Sequence, residues 1–167
     1  MPLLSRICNL AGILLMAAVI LVLLPLTVPK LFGYQIYGIL TDSMEPTYPA
    51  GCVVYVRPTD SSKIQVGDPI TFKMGTDTEL VTTHRVVEID SRKRQFITKG
   101  DANGSADSSP VSFDRLIGKV VFQIPLLGNI SACLYTKTGI AVCGFLFAAA
   151  VFLWVIADKF KLKESAK

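Results

Sequence analysis

The chain has 167 residues, enough for one modest domain with appendages, yet 51% are hydrophobic and only 18% charged. With a mean hydropathy of +0.49, that is too apolar for an ordinary soluble domain. The formal net charge of +4 lies at the two ends while the central charges nearly cancel, so the chain lacks the basic field that nucleic acid requires and no nucleic acid is expected as a partner.

In chain order, residues 1–6 form a short head carrying Arg6, followed by a run without charge over 7–29. At about 1.5 Å of rise per residue this run is long enough to cross a hydrocarbon core. It is also longer than the apolar core of a cleaved signal peptide, and no alanine occurs between Ala18 and Ala50 to make a small-x-small cleavage site. We read it as an uncleaved anchor, with Pro25 placed to kink its outer end. Residues 30–137 form a polar segment of globular size. Residues 138–157 form a second uncharged run, and 158–167 a basic tail. Five Lys or Arg residues (Arg6, Lys159, Lys161, Lys163 and Lys167) flank the outer ends of the two runs, against Lys30 and Lys137 on the central side. Basic residues mark the cytoplasmic face, so both termini are expected inside and the central segment outside. The lipid bilayer is thus a partner.

The central segment reads as mainly β. Tyr34, Ile36 and later Leu40 alternate as a strand would, close enough to the first run for the aromatic rings to sit at a membrane interface. Strands are expected over 52–56, 70–73, 80–89, 95–98 and 117–124, separated by Gly, Pro, Asp and Ser turns that include Gly75-Thr76-Asp77. Residues 100–110 read as a polar loop, and Arg92-Lys93-Arg94 as a solvated turn. No helical period of convincing length precedes the second run. Tyr135-Thr136-Lys137-Thr138-Gly139 has the outline of a cell-wall sorting signal but lacks the Leu-Pro that opens one. Among the cysteines no CxxC or Cys/His metal spacing occurs, so no metal site is expected. Cys8 and Cys143 lie in or beside the apolar runs. Cys52 and Cys133 read as small buried residues, with a disulfide between them left open.

The residues with chemistry to offer are few. Ser43, in Thr41-Asp42-Ser43-Met44-Glu45-Pro46, lies shortly beyond the first run. A serine hydroxyl is a weak nucleophile that needs an adjacent base, commonly an imidazole held by a third group. The chain has one histidine, His84, on a strand pattern where Thr82, His84 and Val86 share one face and Val81, Thr83, Arg85 and Val87 the other. Asp101 and Asp107 in the polar loop are candidates for the third group, although aspartates in such loops often serve turns. Asp68 and Asp114 have weaker claims at turns or strand entries.

Ser-Met-Glu-Pro at 43–46, His-Arg-Val-Val at 84–87, and Lys-Gly-Asp-x-Asn at 99–103 with a second Asp at 107 resemble type I signal peptidases. The likeness is to the endoplasmic-reticulum-like branch, which also occurs in archaea and Gram-positive bacteria. Gly118-Lys119-Val120-Val121 and Ile124-Pro125-Leu126-Leu127-Gly128 are similar to that family's closing strand and turn. In the other bacterial branch a lysine base stands where His84 stands here. The resemblance implies a signal-peptidase-like β catalytic domain flanked by two single transmembrane helices. It further implies a membrane-bound serine endopeptidase that cleaves signal peptides from exported preproteins after small residues, without a cofactor.

By the same resemblance Ser43 is the nucleophile, His84 the general base and Asp107 the favoured acid, with Asp101 shaping the site or sharing that role. The Ser43 N–H and the Thr41 hydroxyl would meet the oxyanion. Substrate would lie along Ile39, Leu40, Thr82 and Thr83. The expected location is the cell membrane, two-pass with the catalytic domain outside, or the endoplasmic reticulum membrane in a eukaryote. Departures from the family are Thr41 for Ser, Asp42 for a Gly beside the oxyanion site, and Ala102 for Asn. Asp42 motivates the alternative of an inactive peptide-binding relative on a membrane anchor.

Overall fold

The structure, a computed structural model, describes residues 3–75, 78–134 and 136–165. Thr76 and Asp77 of the expected turn, and Tyr135, lie outside the described residues. The chain divides into two compact units, Met1–Thr27 with Ser131–Lys167, and Val28–Ile130.

The first unit is built from two long apolar helices, α1 (Leu3–Leu31) and α3 (Lys137–Ser165). Within them Ser5–Leu31 and Lys137–Lys159 are long and apolar enough to cross a membrane, and little of either is buried inside the protein. Both reach beyond the uncharged runs seen in the sequence. α1 continues through Pro25 and Pro29, because a membrane-length helix with little polar competition tolerates proline better than a solvated one. The two helices run antiparallel where they touch. The Ser5 hydroxyl donates to the Ala157 carbonyl at 3.0 Å, and a Cβ on Gly12 would collide with the Trp154 ring. A small residue at such a point lets helices approach closely without a hydrophobic driving force.

The second unit is a seven-stranded antiparallel sheet. Its strands are β1 (Gln35–Gly38), β2 (Val53–Arg57), β3 (Pro69–Lys73), β4 (Val81–Asp90), β5 (Gln95–Lys99), β6 (Val111–Ser112) and β7 (Leu116–Ile124), in the spatial order β1-β2-β7-β3-β4-β5-β6. The alternating sequence runs therefore do become strands, each within one or two residues of the expected ends. Register shifts interrupt β2–β7 at Tyr55/Val56, β3–β7 at Thr71/Phe72 and β4–β5 at Val86/Glu88. Such bulges increase local twist, and the sheet curls.

The curl holds two apolar clusters. Ile64, Ile70, Phe72, Val86, Phe96 and Val111 form one, and Ile39, Cys52, Val54, Val56 and Val120 the other. Cys52 is buried as expected, but Cys133 is exposed, and both are free thiols. An eight-residue helix, α2 (Leu127–Leu134), was not expected. It follows Pro125 and Leu126, and Leu126 has φ +61°. The start of α2 packs onto the Gly51 turn, where Gly128 and Asn129 N–H groups donate to the Gly51 carbonyl at 3.0 and 3.3 Å. A helix this short is stabilised by such packing rather than by its own propensity, which hides it in the sequence.

Candidate active site

Ser43 sits in a loop closed at its base. Ile39 N–H donates to the Cys52 carbonyl and Gly51 N–H to the Ile39 carbonyl, at 2.9 and 2.8 Å. Between these anchors Met44 is 1% exposed, and burying such a side chain contributes about 1.5–3 kcal/mol toward holding its neighbour in place. The Ser43 carbonyl accepts from Ala102 N–H at 2.9 Å. Gly100 packs so closely on that carbonyl that a Cβ there would lie 2.5 Å from it. The polar loop after β5 is thus pinned to the serine by backbone contacts.

His84 lies at the middle of β4, opposite Ile70 of β3. Its ring meets Phe72 edge-on, with 6.5 Å between centroids, so one side of the imidazole rests on apolar surface. Nε2 is 3.2 Å from Ser43 Oγ, and Nδ1 is 2.7 Å from Asp107 Oδ2. The His84 and Asp107 side chains are 12% and 22% exposed. Serine, imidazole and carboxylate stand in one hydrogen-bonded line.

Asp101 takes a different partner. Arg85 Nε and Nη2 donate to its two oxygens at 2.7 and 2.5 Å, a bidentate pair of the strong kind. Arg85 Nη1 also donates to the Gly67 carbonyl at 2.8 Å. The guanidinium, and to a lesser degree the Thr47 hydroxyl, hold the Asp101 carboxyl below the usual carboxylate range. Neighbouring residues of a strand face opposite ways, so His84 and Arg85 each reach one of the two loop aspartates. Asp68 pairs with Lys119 at 2.6 Å, and Asp114 with Arg94 at 3.7 Å on the surface.

The Thr41 hydroxyl lies 3.3 Å from Ser43 Oγ, and the Ser43 N–H donates to no acceptor among the described residues. Asp42 is exposed, and Arg94 and Leu126 are the non-glycine residues with positive φ among the described residues. The backbone at Asp42 therefore lies outside the left-handed region that would favour glycine.

Two clefts open beside the serine. One, of about 430 Å³, lies between the 37–41 segment and the 79–83 segment and includes Ile39, Leu40, Ser43, Thr82 and Thr83 in its lining. The other, of about 440 Å³, is lined by Ser43, His84 and Asp107 together with Phe72, Ser108 and Arg115. Leu40 is 89% exposed, whereas Ile39 is buried. The Thr83 hydroxyl turns inward onto Thr71 at 2.8 Å. Sequence reasoning did not single out Phe72, Arg115 or the Arg85–Asp101 pair. The Gly in Lys99-Gly100-Asp101 was the one available signal for the close approach to Ser43.

Signal peptidase I W of Bacillus subtilis strain 168 is 40% identical to this chain over 101 residues, covering 58% of this chain and 52% of that protein. The chain thus spans about half the length of this curated relative. No family model matches the chain. Over the matched 101 residues the chain is thus similar to a protein of the type I signal peptidase family that its motifs resemble.

Proposed function

We propose that the chain is a membrane-anchored serine endopeptidase that removes signal peptides from exported preproteins at the outer face of the membrane. The observation that carries this reading is the line from Ser43 Oγ to His84 Nε2 at 3.2 Å and from His84 Nδ1 to Asp107 at 2.7 Å. A slightly long first contact is usual in a substrate-free site.

In this mechanism His84 Nε2 takes the Ser43 proton as Oγ bonds to the scissile carbonyl carbon, and Asp107 stabilises the resulting imidazolium. The Ser43 N–H and the Thr41 hydroxyl donate to the oxyanion. Collapse breaks the C–N bond, and His84 returns the proton to the leaving amine. Water, deprotonated by the same imidazole, then attacks the acyl-serine, the bond from carbon to Oγ breaks, and His84 returns the proton to Ser43 Oγ as the signal peptide is released. The signal-peptide part of the substrate, which supplies the acyl group, lies extended in the cleft between residues 37–41 and 79–83, its backbone pairing with strand edges and its small side chains entering shallow pockets. Asp101 acts through structure: with Arg85 it fixes the loop that carries Asp107 and holds the Ser43 carbonyl.

Two apolar helices place such an enzyme where its substrate's own apolar segment resides. The antiparallel contact of α1 and α3 suits a two-pass topology with both termini in the cytoplasm. The test is incubation of the purified full chain in detergent with a preprotein, with the new N-terminus mapped by mass spectrometry. The wild type is expected to cut after a small residue, and Ser43→Ala and His84→Ala to lose at least about 10³-fold in kcat. Undiminished processing by Ser43→Ala would remove the serine from the mechanism. Peptide binding without cleavage by the wild type would favour the inactive relative.

A further inference from the structure

Asp107 Oδ2 has two close polar neighbours. One is His84 Nδ1 at 2.7 Å; the other is the hydroxyl of Thr98 on β5, which donates to it at 2.6 Å. Thr98 is completely buried and also accepts the Asp107 N–H on its own carbonyl at 2.8 Å. A single strand residue therefore holds both the backbone and the carboxylate of Asp107. The loop around Asp107 has no helix or strand of its own, and besides the contact with His84 the two bonds to Thr98 are what tie Asp107 to the sheet.

We propose that Thr98 is a positioning residue for the reaction, acting through Asp107 to set the tautomer of His84. The Thr98 hydroxyl donates to Oδ2 and so commits that oxygen, which also faces His84 Nδ1, to accepting. Oδ2 is then an acceptor only, so the proton of neutral His84 sits on Nδ1. Nε2 is left with its lone pair toward Ser43 Oγ, as a general base requires. Without the hydroxyl, the carboxylate turns on its two torsions and Nδ1–H loses its fixed acceptor. The imidazole then divides between tautomers, one of which presents N–H to the serine and cannot accept its proton. Thr98 is opposite Val86 in the β4–β5 register, so the strand pair that carries His84 also carries the group that orients its acid.

This inference rests on the peptidase reading for its kinetic test but not for its spectroscopic one. The chain contains one histidine, so the full-length protein labelled with 15N-histidine in detergent reports the His84 tautomer without assignment. Thr98→Val keeps the shape and removes the hydroxyl. It is expected to lower kcat by about 10- to 100-fold, the cost of mispositioning a catalytic group, with little change in KM. Its ring nitrogens are expected to shift from the Nδ1–H pattern toward a mixture. Thr98→Ser restores the donor and is expected to return the wild-type tautomer and most of the activity. A Thr98→Val protein with wild-type kcat and an unchanged nitrogen pattern would overturn the proposal. So would a Thr98→Ser protein as impaired as Thr98→Val, since packing rather than the hydroxyl would then be responsible. If the wild type cleaves no preprotein, the peptidase reading fails, and the tautomer comparison still decides the role of Thr98.

Discussion

The two ends of the loop after β5 carry the same side chain to different tasks. Asp107 meets an imidazole beside the serine, and Asp101 meets a guanidinium on the other face of β4. A carboxylate against an imidazole can follow a proton moving on and off the ring. A carboxylate in a bidentate pair with arginine is already committed, because Arg85 stays charged throughout the accessible pH range. The difference teaches that an aspartate's chemistry in this loop is set by which neighbour on β4 it reaches. The alternation of His84 and Arg85 on one strand assigns the neighbours.

That contrast can be broken in order of expected effect. Asp107→Ala leaves the Nδ1–H of His84 and the Thr98 hydroxyl without their shared acceptor, and is expected to lower kcat by about 10²- to 10⁴-fold, as loss of a triad acid does. The fold is expected to persist in circular dichroism.

Asp101→Asn should act first on stability. Replacing the carboxylate weakens two charged hydrogen bonds to Arg85, at a cost of about 1–3 kcal/mol, measured as a lower Tm at pH 7. The pH dependence separates it further. The Asp101 carboxyl is held below its ordinary range by Arg85. The folded state thus binds its proton less readily than the unfolded chain. The stability this provides is present above the ordinary carboxylate range, near pH 4, and is lost as pH falls through the depressed value. Asp101→Asn should therefore flatten the fall in Tm on acidification while lowering Tm at neutral pH. A parallel downward shift of the whole curve would mean that Asp101 does not supply this proton linkage.

Asp42→Gly is expected to be the mildest change. Asp42 is exposed and its backbone lies outside the left-handed region, so glycine relieves no strain and adds unfolded-state freedom costing less than about 1 kcal/mol. Activity within about threefold of wild type is expected. A large gain would show that the Asp42 charge opposes the oxyanion.

Much of this architecture was legible in the sequence. Alternation of apolar residues placed the central strands, and charge-free runs of membrane length placed α1 and α3. The order of Ser43, His84 and the paired aspartates suggested the site, and the structure brings Ser43, His84 and Asp107 into hydrogen-bond reach. The two aspartates could not be separated by composition, since both sit among Gly, Ser and Asn, where an aspartate commonly serves a turn. Thr98 was invisible for another reason: a threonine in a β pattern looks like any half-polar strand residue until its hydroxyl is seen to meet a carboxylate. α2 was hidden because its eight residues gain their order from packing on Gly51, a contact far away in sequence.

The most direct test of the account compares kcat of the Asp107→Ala and Asp101→Ala proteins side by side, on one preprotein and in one detergent, at a temperature where both remain folded. The account predicts that Asp107→Ala is at least about tenfold the slower of the two, while Asp101→Ala has the lower Tm. The reverse ranking in kcat, with Asp101→Ala the less active, would contradict it and move the acid of the site to Asp101.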